Sequence, residues 1–116
     1  MTMAFDFSAL KALANHDEAK LRKYSQLFIA SLEDVLAQVD DGIDRSDIAL
    51  LGAMGHRAKS TALNIGAADF GQQCLLLEQA ATARDVSAAI GLAQSLRPMF
   101  LPIRTALLQI SQKLPD

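Results

Sequence analysis

His56 is one of two histidines in 116 residues, and Lys59 follows it at a spacing of three. On a helix that spacing sets a cation one turn from an imidazole. The unperturbed imidazole pKa is about 6.5, so much of the ring is neutral and nucleophilic at cell pH. An exposed ring nitrogen can take a phosphoryl group from an acyl phosphate, provided that a partner on the other nitrogen fixes the tautomer. An ammonium one turn away can neutralise charge on the transferred group. Arg57 lies about 100° round the helix from His56 and can reach the rim of such a site, although a solubilising surface charge is the simpler account of it.

The segment that must present His56 is Gly55-His56-Arg57-Ala58-Lys59-Ser60-Thr61-Ala62-Leu63-Asn64-Ile65-Gly66. On a helical wheel with His56 at zero, Leu51, Met54, Ala58, Ala62 and Ile65 fall between about 160° and 240°. That arc is the core side, so His56 points away from the core. Within about 60° of it lie Ala49, Gly52, Ala53, Lys59, Ser60 and Leu63. A solvated helix face is usually crowded with Glu, Lys and Gln. Small side chains, one cation and one leucine instead leave a strip that another protein can approach closely. Gly52 and Gly55 each weaken the helix by up to about 1 kcal/mol relative to Ala.

Apolar spacing predicts the elements around this segment. Phe5, Phe7, Leu10 and Leu13 suggest a short first helix that plugs one end of a bundle. Asn15 can cap a second helix with Glu18 completing the box, and Leu21, Tyr24, Phe28, Leu32, Val35 and Val39 carry it over roughly 17 to 39. Asp40-Asp41-Gly42 reads as its end. Asp44 or Ser46 can cap the His56 helix, with Asp47 favouring its positive N-terminus, and Gly66 stops it. A fourth helix is expected from about Ala67 to Ala83, with Phe70, Cys74, Leu77 and Ala81 inward. Asp85 or Ser87 starts the last, where Ile90, Ala93, Leu96, Phe100, Ile103, Leu107 and Ile110 share a face. Pro98 and Pro102 interrupt that pattern, so a kink near residues 94–98 or a split is expected. Short connections favour antiparallel neighbours. The expectation is one all-α domain over residues 1–116, an up-down-up-down four-helix bundle with a short extra N-terminal helix.

Composition agrees and excludes several functions. Hydrophobic residues make up 51% and aromatics 5%, a balance that suits helix packing better than sheets. The net charge of -2 comes without a basic run, so no nucleic acid partner is expected. The opening Met1-Thr2-Met3-Ala4-Phe5-Asp6 lacks the pattern of a signal peptide, and no window of about 18 apolar residues suggests a membrane span. One cysteine, Cys74, fits a reducing compartment and a core position. The expected location is the cytoplasm. No Glu-x-x-His pair accompanies the two histidines, so no metal site is expected, and His16 reads as a surface residue at a helix start.

The residues from His56 to Gly66 resemble the histidine-containing phosphotransfer (HPt) family. Its hallmark is a His, a Lys three residues on, a small residue and a Gly ending the helix. Here these are His56, Lys59, Ser60 and Gly66. Cys74-Leu75-Leu76-Leu77-Glu78 is similar to the family's next helix, and Asn15-His16-Asp17-Glu18 with the helix after it to the family's opening. The likeness spans roughly residues 7 to 90. Ser60 stands where Gly is frequent, Ala58 where a larger apolar residue is common, and Pro98 and Pro102 are atypical of a straight terminal helix.

The resemblance implies that His56 is phosphorylated on its distal nitrogen, that Lys59 stabilises the phosphoryl oxygens and that Glu78 hydrogen-bonds the proximal nitrogen. It implies partners that are response-regulator receiver domains, or the receiver domain of a hybrid histidine kinase, docking over Ala49, Gly52, Ala53, Arg57, Ser60 and Leu63. Mg²⁺ would come from the receiver, and the chain would need no cofactor of its own. There is no GxxxxGK[ST] loop and no kinase glycine-rich loop, so the expectation is a monomeric phosphoryl carrier, not a complete enzyme. The alternative is a bundle that binds a receiver without phosphotransfer.

Overall fold

The computed structural model describes residues 5–112, with side chains for 5–110. They form six helices: α1 (Ser8–Leu13), α2 (Glu18–Asp44), α3 (Ile48–Asn64), α4 (Ala68–Thr82), α5 (Val86–Gln94) and α6 (Leu96–Gln112). Three of them start at an aspartate. Asp17, Asp47 and Asp85 accept hydrogen bonds from the backbone N–H groups of Lys20, Leu50 and Ala88, each at 3.1 Å. Each carboxylate satisfies a donor of the first turn and meets the positive end of the helix.

Two of these caps differ from expectation. Asn15 does not cap α2; it sits in the turn before it at φ 52°, beside His16 at 56°. Neither Asp44 nor Ser46 caps α3; Asp44 is the last residue of α2, and Ser46 turns the chain at φ 49°. The end of α2 also lies beyond Asp40-Asp41-Gly42. Gly42 is inside the helix and buried, and a Cβ there would come within 2.8 Å of the Leu51 side chain. This glycine brings α2 close to α3 and does not terminate anything.

The apolar stripes meet as the spacing predicts. Leu32, Val35 and Val39 of α2, Leu51 and Ala58 of α3, Phe70 and Leu77 of α4, and Phe100, Ile103 and Leu107 of α6 are buried together. The α3–α4 pair forms the most extensive helix interface, followed by α2–α6 and α2–α3. At one end, Leu10 of α1 and Ala14 just after it are buried, while Leu13, expected beside them, is exposed; the ring centroids of Phe5 and Phe7 lie 6.1 Å apart against the core. The Asp6 N–H donates to the Gly66 carbonyl at 3.2 Å. Gly66 has φ 67°, and a Cβ there would collide with the Asp6 carbonyl, so this crossing requires glycine.

The last arm is interrupted at Ser95, where α5 ends and α6 begins. Pro98 is the third residue of α6. It has no N–H for the Gln94 carbonyl, and it is tolerated because first-turn N–H groups have no intrahelical acceptor. Pro102 lies inside α6, which continues past it. No described helix is long and apolar enough to cross a membrane.

Candidate functional site

His56 stands in the middle of α3 with its side chain 69% exposed. Across the seam, Glu78 of α4 reaches it: Oε2 lies 2.6 Å from Nδ1. The other carboxylate oxygen, Oε1, accepts from Lys59 Nζ at 2.7 Å. Glu78 and Lys59 are 26% and 29% exposed, so the bridging contact is half-buried while the imidazole faces solvent. The hydrogen bond from Lys59, and then that from His56, holds the Glu78 carboxyl below its ordinary value against the opposing effect of desolvation. An ionised Glu78 only accepts, so Nδ1 carries a proton, and in the neutral ring the lone pair is then on Nε2.

Small residues make this reach possible. A Cβ on Gly55 would come within 2.8 Å of the Cys74 carbonyl oxygen, and one on Gly52 within 2.7 Å of Ala81 Cβ. Lower down the seam, Gly71 faces Ala62. The two helix backbones therefore lie close enough for a glutamate on one to touch a histidine on the other. Gly52 and Gly55 cost helix propensity, and the close packing of α3 on α4 offsets that cost.

The remaining sequence-predicted residues divide. Ala49, Gly52 and Ala53 line a shallow depression of about 410 Å³ together with His56 and Glu78. Ser60 is exposed, and Leu63 is 68% exposed. Lys59 and Leu63 border a second depression of about 240 Å³. Arg57 turns the other way, where its Nη1 pairs with Asp34 Oδ2 of α2 at 2.8 Å. Apart from Glu78, the α4 side of both depressions was not expected at the site: Thr82 and Ala81 in the first, where Ala81 is only partly buried and not a core residue as expected, and Ala68, Gly71, Gln72 and Leu75 in the second. Helical spacing was the available signal, since Leu75, Ala81 and Thr82 lie three or four residues from Glu78.

Cys74 is fully buried behind the site, and burial pushes its thiol up to about 12 despite the opposing Lys59 charge. His16 is exposed between α1 and α2. Among the described residues, no group of three or more His, Cys, Asp or Glu side chains is placed to hold a metal ion.

A family model described as the Hpt domain matches residues 23–113. Among solved structures, the chain is similar to the crystal structure of histidine-containing phosphotransfer protein B (HptB) from Pseudomonas aeruginosa PAO1. The TM-score is 0.88 at 21% identity, with 99% of this chain and 100% of that chain covered. At that identity the likeness is one of fold. No curated protein matches the chain.

Proposed function

The chain belongs to the Hpt domain family, and on that premise we propose that it carries a phosphoryl group on Nε2 of His56 between the aspartates of receiver domains. The observation that carries this reading is the 2.6 Å contact between Glu78 Oε2 and His56 Nδ1. It supports a proton on Nδ1, which in the neutral ring leaves the lone pair on the exposed nitrogen. We read the fold as four antiparallel arms, α2, α3, α4 and the joined α5–α6, with α1 plugging one end.

In the forward step the Nε2 lone pair attacks phosphorus in line. The bond between phosphorus and the aspartyl oxygen breaks, and the aspartate leaves as a carboxylate. The imidazole becomes positively charged as the N–P bond forms, and the Glu78 carboxylate at Nδ1 stabilises that charge. The reverse step passes the group to a second receiver. Mg²⁺ enters with the receiver, whose docked face covers Ala49, Gly52, Ala53, Ser60 and Leu63, while Arg57 stays with Asp34. The receivers belong to response regulators, to a hybrid histidine kinase, or to both. The chain acts as a cytoplasmic monomer that carries the group and does not bind ATP.

Incubation with a phosphorylated receiver tests the proposal. The expected product is acid-labile, base-stable label on His56. Receiver binding without label on His56 would leave a receiver-binding bundle and overturn the carrier.

A further inference from the structure

Lys59 is not free beside His56. Its ammonium is held by Glu78 Oε1 at 2.7 Å, while Oε2 of the same carboxylate meets His56 Nδ1 at 2.6 Å. The three side chains thus form a chain of contacts, ammonium to carboxylate to imidazole, ending on the ring nitrogen that does not react. A carboxylate free to rotate about its last bond can offer either oxygen to Nδ1, or neither. One whose second oxygen is anchored has a fixed aim. Its charge matters as well. An uncompensated carboxylate beside an imidazole favours the imidazolium, which has no lone pair to attack with. Lys59 offsets that charge from the far side of the carboxylate.

We propose that Lys59 is a positioning residue: by binding Glu78 it aims that carboxylate at Nδ1 and offsets its charge, so that His56 stays neutral with its lone pair on Nε2. This rests on the carrier reading for its purpose, although the effect on the ring is a property of the unphosphorylated protein. The role differs from a direct contact between Lys59 and the phosphoryl oxygens. The surrounding charges leave the chain of contacts intact. From α3, Arg57 is drawn off to Asp34 of α2, and from α4 the charge at the ring is Glu78 itself.

The test is a two-by-two set: wild type, Lys59→Met, Glu78→Ala and the double variant, with Lys59→Arg as the conservative control. Nitrogen NMR of His56 against pH reads its tautomer and titration midpoint without any phosphotransfer. Lys59→Met is expected to raise the midpoint and weaken the Nδ1–H preference. Lys59→Arg should restore both. In the Glu78→Ala background, Lys59→Met should add nothing. An unchanged His56 spectrum in Lys59→Met, or an equal shift in both backgrounds, would overturn the proposal. Phosphorylation by phosphoramidate gives a second reading, in which the P–N bond of the reagent breaks, ammonia leaves and the His56 N–P bond forms. The double variant should react no more slowly than the slower single one. A further loss from Lys59→Met on top of Glu78→Ala would assign Lys59 to the phosphoryl group directly. Should wild type take no phosphoryl group at His56, the carrier reading fails, and the NMR outcome still decides the role of Lys59.

Discussion

At the scale of single residues, one acidic side chain joins the candidate site, since Glu78 contacts both His56 and Lys59. Glu78 is held ionised, first by Lys59 and then by His56. Its folded-state pKa lies below the ordinary value of 4.5. The folded protein therefore binds that proton less readily than the unfolded chain. The stabilisation from Glu78 is present above about pH 4.5 and is lost as pH falls through the lowered folded value. Glu78→Gln should remove this part of the acid dependence in denaturant titrations run from neutral pH downward; an unchanged profile would contradict the assignment. In phosphotransfer, Glu78→Ala should slow acceptance by about 10- to 100-fold, as for other partners that orient an imidazole. Glu78→Gln, which keeps an acceptor oxygen, should be less severe. His56 and Lys59 were legible from type and spacing, and Glu78 from the resemblance alone. The carboxylate bridge between the two was not legible, because a wheel describes one helix and this contact spans two.

At the scale of elements, the α3–α4 seam decides whether that bridge forms. Gly55 faces the Cys74 carbonyl, where a methyl group has no room and the obstacle is backbone. Gly55→Ala should cost about 1–3 kcal/mol by forcing the helices apart, although alanine is the better helix former. Thermal unfolding checks the cost, and loss of the Nδ1–Glu78 contact by NMR checks its cause. A more stable Gly55→Ala protein would refute the close approach. Asp47 anchors the start of the same helix, and Asp47→Ala should lower stability by about 1 kcal/mol while leaving the seam intact. Apolar periodicity revealed the helices because burial follows one face. Their ends were less legible. Asp17 and Asp47 won the caps from Asn15, Asp44 and Ser46, which lie a residue or more away, and several such side chains in a row make the choice depend on the turn geometry. Gly42 reads as a terminator in sequence and acts as a packing residue, since its role is set by Leu51 on another helix.

At the scale of the whole molecule, the apolar residues join the helices, and the α3–α4 face is left with two depressions, one of mostly small residues at His56 and one bordered by Lys59, Leu63 and Leu75. In the proposed carrier, the bundle supplies a rigid mount and the chemistry waits for a partner. Cys74, buried with its thiol raised to about 12, should resist alkylation in the folded protein at neutral pH and react only on unfolding; rapid modification of the native protein would show that the core opens. The break at Ser95 was foreseen as a region and not as a residue, because Pro98 permits the chain to bend anywhere in the turn before it. The most direct measurement of the central claim is transfer of labelled phosphate from a phosphorylated receiver to wild-type protein and to His56→Gln. Acid-labile label on the wild type and none on the variant is the predicted result; equal labelling of the two would mean that the group rides on some other residue.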